Sequence, residues 1–427
     1  MTFLIGLSLT KSQFRTSYRR ARLLQQTMTN TGWISCKSSE VKLDITLACG
    51  QSFRWKETSP GQWTSVLAGN IWTLGQTDDK IIYRVYEKGY NGPSLPLPDP
   101  QETKSKIEMK RDASNQGCDK LLKKSSIKQE IHTSDNVNIN LQLIDSDNSS
   151  SKYSVVLKNY FQLGVNLEDL YGHWSASDPH FKAVAADFTG VRILRQDPVE
   201  NLFAFICSSN NNISRISGMV ENLCKTYGEK VGILDKEPYF TFPSIEALTG
   251  RQVEQTLREL GFGYRAKYIS ETAKYIVTNH SVEWLYSLRG KSYQDAHGEL
   301  LKLCGVGAKV ADCVCLMSLD KAEAIPVDTH VWQIAIRDYN IPKLNSNKTM
   351  TDATYKQIGD FFRGLWGPYA GWAHSVLFSA DLKKFQDRKV ETKGHDKKVS
   401  TSRKRGTKAE VQPRNHKEKK RIKQEPT

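Results

Sequence analysis

The chain has no C-x₂-C pair. Its eight cysteines are scattered, and the nearest two, Cys313 and Cys315, have a single residue between them. That spacing argues against a zinc knuckle or a cysteine-held iron–sulfur cluster, so no metal or other cofactor is expected, and scattered thiols fit a reducing compartment. Long apolar runs are also missing. The longest near the N-terminus, Phe3 to Leu9, falls far short of the roughly 20 residues a membrane span requires, and no charged stretch precedes it as in a secretory signal. Acidic residues are absent from residues 1–39, and Phe, Tyr and Trp are absent from Asn91 to Lys152. A segment without aromatics, made of Pro-rich, Lys-rich and Asp/Asn/Ser-rich patches, cannot bury enough surface to fold alone, so a disordered insertion is expected over about 93–152.

What is present is 427 residues, 38% of them hydrophobic, with a net charge of +15. Two or three domains with polar appendages are expected from that length. The charge sits in the tails: residues 1–39 carry +6, residues 383–427 carry +11, and the body between them is close to neutral at −2. Both tails could therefore meet an anionic partner or a targeting receptor, and the body must be judged by its motifs. The N-terminal extension, residues 1–32, with Arg15, Arg19, Arg20 and Arg22 and a second methionine at Met28, has the composition of a mitochondrial transit segment or of a plain basic tail. The C-terminal tail, residues 383–427, contains Arg403-Lys-Arg405 and Lys419-Lys-Arg421, which fits a nuclear localisation signal or a solubilising tail. Nucleus, and mitochondrion through the extension, are the expected locations.

Alternating segments at Val41–Leu47, Trp63–Leu67, Ile71–Leu74 and Ile81–Tyr86, separated by Gly, Asn and Asp, predict an antiparallel sheet in an N-terminal domain spanning 33–190. Beyond Tyr153 the period becomes helical, with helices predicted at Leu167–Trp174, Pro198–Ile206, Ile213–Tyr227, Ser244–Leu260, Arg265–Asn279, Tyr293–Leu303 and Asp352–Leu365. Residues 191–382 thus read as a mainly α domain, and the fold class as α+β.

A helical segment ending at Leu303, the turn Cys304-Gly-Val-Gly307 and a second helix from Ala308 predict a helix-hairpin-helix. Gly305 and Gly307 let the backbone turn sharply and bare the N–H groups of the next helix, which together make an anion seat suited to a DNA phosphate. A tight turn between packed helices accounts for the same glycines. Lys309 stands in the first turn of that second helix. It could pair with Asp312 at i,i+3, or, because a helix N-terminus and burial both disfavour an ammonium, serve as a neutral amine and nucleophile. Downstream, Ile325-Pro-Val-Asp-Thr-His330 opens another helix, Val331–Tyr339, with Asp328 at its N-cap. The same carboxylate, held near an electrophilic sugar, could also stabilise a developing oxocarbenium ion.

A hairpin with G-V-G, a lysine two residues on and P-V-D nineteen residues after that lysine resembles the helix-hairpin-helix DNA glycosylases with the Gly/Pro-Asp signature. The likeness narrows with Gly50-Gln-Ser-Phe-Arg-Trp55, Cys207-Ser-Ser-Asn-Asn-Asn212, Gly263-Tyr-Arg-Ala266, Lys309-Val-Ala-Asp-Cys313, Leu365-Trp-Gly-Pro-Tyr-Ala-Gly-Trp372 and Val376-Leu-Phe-Ser-Ala-Asp-Leu382. These stretches resemble the eukaryotic 8-oxoguanine DNA glycosylases, from about Ser38 to Leu382 with the insertion left out.

The resemblance implies a TATA-binding-protein-like N-terminal sheet domain before the helical glycosylase domain. It also implies a bifunctional glycosylase and lyase of base excision repair, a monomer acting on double-stranded DNA with 8-oxoguanine opposite cytosine, alongside other repair proteins. Residue by residue, Lys309 would be nucleophile and Schiff-base former, and Asp328 would stabilise the transition state. His330 would contact a phosphate, Tyr264 would wedge into the duplex, and Asn210, Arg215 and Arg265 would hold the widowed cytosine. The Gly50 carbonyl would accept from the N7–H that oxidation creates and repel the lone pair of ordinary guanine. Phe378 and Cys313 would sandwich the flipped base, with Met317 beside them. Cys313 reads equally as a thiolate paired with Lys309 or as a neutral buried thiol.

Two positions depart from the family pattern. His374 replaces the glutamine that usually meets the Watson–Crick edge of the lesion, so altered opposite-base or lesion preference is expected. Cys304 stands where the hairpin commonly has proline, which should loosen the turn slightly. A non-catalytic helix-hairpin-helix DNA-binding protein would keep the glycines and have no use for Lys309 with Asp328. A relative specific for alkylated or mismatched bases is disfavoured by the Gly50 and Phe378 stretches.

Overall fold

Trp55, Trp63, Trp72, Tyr83, Tyr153 and Phe161 are too large to be hidden by one layer, and they set the first half of the chain. In the computed structural model, which describes residues 28–97, 151–341 and 349–386, they form one cluster between a sheet and a helix. The basic extension before Met28, most of the insertion and the tail beyond Gln386 lie outside the described residues. The elements named below belong to one unit that ends at Lys383.

Strands β1 (Thr29–Ser35), β2 (Lys56–Ser59), β3 (Gln62–Leu67), β4 (Asn70–Gln76) and β5 (Lys80–Tyr86) make an antiparallel sheet in the order β1-β5-β4-β3-β2. Three of them match predicted segments. The fourth predicted segment does not: Val41–Leu47 contains a helical turn, α1 (Leu43–Thr46). Its alternation was misleading because the free edge of β5 is already taken by β1, in the register Trp33 to Ile82 and Thr29 to Tyr86. Without a ladder partner, residues 41–47 close onto themselves, the Thr46 amide donating to Lys42 and the Leu47 amide to Leu43. Strand β1 begins inside the stretch read as an extension. Its sequence offers few large apolar residues, and pairing with β5 carries it.

Structure also reaches into the first residues of the expected insertion. β6 (Asn91–Gly92) pairs in parallel with β7 (Lys230–Leu234), which is antiparallel to β8 (Glu237–Phe240). Past it, the Tyr86 hydroxyl accepts from the Leu95 amide and Arg84 Nε donates to the Pro96 carbonyl. Segment 91–97 is therefore anchored by backbone groups, which an aromatic count does not register. The three-stranded sheet stands among helices where none was predicted; Asp235 and Lys236 turn it with φ of 52° and 70°.

The helices are α2 (Lys152–Tyr160), α3 (Leu167–Ser177), α4 (Pro179–Ala185), α5 (Pro198–Ile206), α6 (Ile213–Tyr227), α7 (Val253–Glu259), α8 (Arg265–Asn279), α9 (Val282–Ser287), α10 (Tyr293–Leu300), α11 (Ala308–Ser318), α12 (Thr329–Arg337), α13 (Asp352–Trp366) and α14 (Ala370–Asp381). Caps mark many starts: Asp197, Asn212, Ser292, Asp328 and Thr351 each accept from an amide of the first turn. The helix predicted over Ser244–Leu260 is instead a 3₁₀ turn, Glu246–Leu248, followed after Gly250 by α7.

One cation ties the sheet half to the helical half. Arg192 has a fully buried side chain paired with Glu40 at 2.5 Å. Its guanidinium also donates to the carbonyls of Glu40, Phe161, Gln162 and Val165 and lies 5.5 Å from the Trp372 ring centre. Glu40 in turn accepts from the amides of Leu167 and Glu168, the open N-terminus of α3.

Candidate active site

The hairpin forms between α10 and α11. Gly305 has a φ of 76°, and a Cβ there would lie 2.4 Å from the Tyr268 ring, so both the conformation and the space exclude a side chain. Gly307 differs from the expectation: at φ −96° and ψ 179° it is ordinary extended backbone at the N-cap of α11, exposed and with nothing near its absent Cβ. Its use is open approach to the helix N-terminus. Leu303 and Val306 bury the turn, and the Cys304 carbonyl accepts from the Thr272 hydroxyl at 2.8 Å.

Lys309 leaves the first turn of α11 without an ion pair among the described residues. Its amine lies 3.3 Å from Ser208 Oγ and 4.9 Å from the centre of the Phe205 ring on α5. The alternative partner, Asp312, is committed elsewhere: it is 1% exposed, accepts from the Tyr293 hydroxyl at 2.6 Å and from the Tyr355 hydroxyl at 2.5 Å, and stands 3.6 Å from His297 Nε2. Burial pushes the Asp312 carboxyl up, against the opposing influence of His297 and the two tyrosines.

Asp328 caps α12, accepting from the Val331 amide at 3.0 Å. Two groups feel both it and Lys309. Cys313 is buried, and burial pushes its thiol up to about 11 despite the nearby Lys309; Asp312 and Asp328 push the same way as burial. That direction favours a neutral thiol beside Lys309 over a thiolate paired with it. Met317, one turn on, is buried, and its carbonyl accepts from the Gln196 amide.

His374 on α14 is 6% exposed, and neither ring nitrogen has a hydrogen-bond partner among the described residues. The Gly371 carbonyl, which favours the protonated ring, lies outside hydrogen-bond geometry. Burial pushes the imidazole down to about 4; Asp328 and Gly371 oppose this and Lys309 adds to it. The ring is neutral at pH 7. Above its ordinary value of 6.5 neither the folded nor the unfolded chain protonates it, and stability is unaffected. As pH falls from about 6.5 to about 4 the unfolded chain binds the proton first, so stability is lost by an amount on the order of 3 kcal/mol. Urea unfolding at pH 7, 5 and 4 is expected to show that loss, and His374→Gln to lack this part of it; identical pH dependence in the two proteins would refute a buried neutral His374.

Phe378, one turn from His374, sits with its ring 6.1 Å from the imidazole and 5.7 Å from His330. His330 Nδ1 lies 2.8 Å from Asp381 Oδ2, and Arg337 holds the other oxygen at 3.0 Å. Burial alone would raise the Asp381 carboxyl, but the hydrogen bonds from His330 and Arg337 outweigh it and hold it below the usual range.

Gly50 reaches the region from the sheet half, with a φ of 86° and the Ile213 side chain 3.0 Å from where a Cβ would be. Gln51 pins it: its amide bridges the Arg192 carbonyl and the Leu194 amide at 2.8 and 3.0 Å, and its own carbonyl accepts from Gln196. On the other side Cys49 lies within reach of Ser379 on α14. No hydrogen bond among the described residues engages the Gly50 carbonyl.

A second group forms a rim. Asn210 is exposed with a φ of 46°, Asn211 bonds inward to the Cys207 carbonyl, and Asn212 caps α6, so three identical residues take three roles. Tyr264 is 45% exposed and its hydroxyl donates to the Ser209 carbonyl. Arg215 is exposed and reaches the Gly261 carbonyl at 3.3 Å. Arg265, expected with Asn210 and Arg215 to hold the widowed cytosine, is 3% exposed, stacked under Tyr264 and donating to the carbonyls of Ser209, Asn210 and Phe262, as a buried guanidinium must fill its donors. It shapes the Asn210 loop.

The structure thus brings Lys309, Asp328, Cys313, His374, Phe378 and His330 together, and places Asn210, Arg215, Tyr264 and Arg265 in the rim. Sequence reasoning missed Phe205, Ser208, Gln51, Asp381 and Tyr355. Ser208, Gln51 and Asp381 lay inside quoted motifs. The others sit on amphipathic helices, where they look like ordinary packing.

Residues 33–202 match the family described as 8-oxoguanine DNA glycosylase, N-terminal domain, and residues 203–358 match the HhH-GPD superfamily of base excision DNA repair proteins. The chain is 33% identical over 369 residues to N-glycosylase/DNA lyase OGG1 of Arabidopsis thaliana, covering 84% of each protein. It is 43% identical over 249 residues to the N-glycosylase/DNA lyase of Saccharomyces cerevisiae, covering 53% of this chain and 66% of that one. Among solved structures, the apo form of the Clostridium acetobutylicum 8-oxoguanine glycosylase/lyase superposes with a TM-score of 0.58 at 25% identity, covering 82% of this chain and 98% of that one. This chain belongs to the HhH-GPD base excision DNA repair proteins that carry an 8-oxoguanine DNA glycosylase N-terminal domain.

Proposed function

We propose that this protein excises 8-oxoguanine, and formamidopyrimidine-guanine, opposite cytosine in double-stranded DNA and then cleaves the abasic strand. The observation that carries this reading is the Lys309 amine, without a carboxylate partner among the described residues and set by Ser208, Phe205 and the buried thiol of Cys313. As a free amine it attacks C1′ of the flipped nucleotide. The glycosidic bond breaks, its electron pair leaves with the base, and the base takes up a proton. Asp328 stabilises the positive charge that develops on the sugar. The amine nitrogen then forms a Schiff base as the sugar ring opens. Loss of a C2′ proton expels the 3′ phosphate by β-elimination, and hydrolysis frees Lys309.

Around that centre the geometry supports the remaining roles. Asp381 occupies His330 Nδ1, leaving Nε2 for a phosphate. Phe378 offers a face for the base, and the unengaged Gly50 carbonyl an acceptor for N7–H. Ordinary guanine would bring a lone pair to that carbonyl, a mismatch of about 1–3 kcal/mol from one unpaired buried group. Tyr264 fills the space of the displaced base, and Asn210 and Arg215 meet the widowed cytosine. His374 brings one donor and one acceptor to the lesion edge.

Strand cleavage of duplexes carrying 8-oxoguanine opposite each of the four bases tests the function. Cleavage opposite cytosine is expected to be fastest, by about tenfold over adenine, and His374→Gln to change that order or the lesion kinetics. No cleavage in any duplex would sink the function. Unchanged kinetics in the variant would remove only the role of His374.

A further inference from the structure

The reaction needs Lys309 and Asp328 at a fixed separation, yet they stand on different elements joined by Leu319–Val327, which is neither helix nor strand. A local device must set that spacing. Asp312 is on the lysine's own helix, one turn away. Its Oδ1 accepts from Tyr293 at 2.6 Å, which anchors α10, and its Oδ2 accepts from the Tyr355 hydroxyl of α13 at 2.5 Å. The Tyr355 oxygen also lies 3.3 Å from the Val327 amide and 3.3 Å from the Ile325 carbonyl.

A hydroxyl has one proton and two acceptor positions. The short contact to the carboxylate takes the proton, since charge-assisted bonds are the stronger ones. The oxygen is then left to accept from Val327, the residue before Asp328. Resting on the glycosylase reading above, we propose that Tyr355 is a positioning residue: its hydroxyl, aimed by Asp312, holds the Val327 amide and so sets Asp328 against Lys309. Asp312 is 1% exposed and acts through this chain of contacts. The chain Tyr293–Asp312–Tyr355–Val327 fastens the lysine helix to the loop that carries the second carboxylate.

The prediction separates two steps of one reaction. Base loss needs Asp328 where the sugar charge develops; Schiff-base formation on a preformed abasic site has no base to expel and needs only the amine. Tyr355→Phe is expected to lower single-turnover excision of 8-oxoguanine by about ten- to a hundredfold, as a misplacement near 1 Å would. Borohydride trapping on abasic DNA, affinity for the lesion duplex and the melting temperature should stay close to wild type. Asp312→Asn, which keeps the volume and replaces one acceptor oxygen with a donor, is read in the same assays and should show the same split, so that a folding defect in one variant still leaves a decision. Unchanged excision in a folded variant, or equal loss of excision and trapping, would overturn the proposal. Absence of excision by the wild-type protein would instead overturn the reading on which it rests.

Discussion

Lys309→Gln is expected to lower 8-oxoguanine excision by roughly a thousandfold or more and to abolish the borohydride-trapped covalent complex, because no other amine among the described residues stands where a nucleophile is needed. The described surroundings of Lys309 are Ser208, Phe205 and a thiol that burial keeps neutral, none of which can form a Schiff base. Affinity for the lesion duplex should change little. The backbone around Gly305 and Gly307 expected to seat a phosphate is left untouched, and glutamine is near lysine in size. Trapping that survives in the variant would move the nucleophile to another residue.

The largest stability effect is expected at Arg192→Met, a loss of about 3–5 kcal/mol, the range measured when one partner of a buried pair is removed. The variant would remove the cationic partner of Glu40 and a donor from each of the four carbonyls that now share one guanidinium. For a body of this size the melting temperature should fall by roughly 10 °C. Glu40→Gln should cost less, since a carboxamide still accepts from Arg192 or from the start of α3. Thermal melting of the two variants beside wild type decides the matter, and a shift of only a degree or two for Arg192→Met would mean that water replaces the guanidinium.

Both effects concern residues that differ in legibility. Lys309 was readable because G-V-G, lysine and P-V-D form a spaced motif, and spacing along one chain survives without coordinates. Arg192 was not readable: its partners come from residues 40, 161, 162 and 165, and nothing in Val191-Arg-Ile193 marks a cation for burial. The Val41–Leu47 segment was read as a strand for the same kind of reason. Its alternation fits an edge that β1 already occupies, and occupancy of an edge is a property of the whole sheet.

Helix starts and periods were the most legible features, since caps and apolar spacing are local. Pro198–Ile206, Ile213–Tyr227 and Arg265–Asn279 fall where the sequence predicted them. The small sheet of β6, β7 and β8 escaped because one of its strands is two residues long and comes from far upstream.

By itself, then, the sequence determined the sheet-then-helix order, the hairpin, the lysine and the capping aspartate, because each is written in neighbouring residues. Tertiary structure alone decided that burial pushes the Cys313 thiol up, that Asp312 serves Tyr293 and Tyr355 rather than Lys309, that Arg265 is buried and that His374 has no hydrogen-bond partner among the described residues. Those outcomes depend on burial and on which distant groups fill each donor and acceptor, and neither quantity exists until the chain has folded.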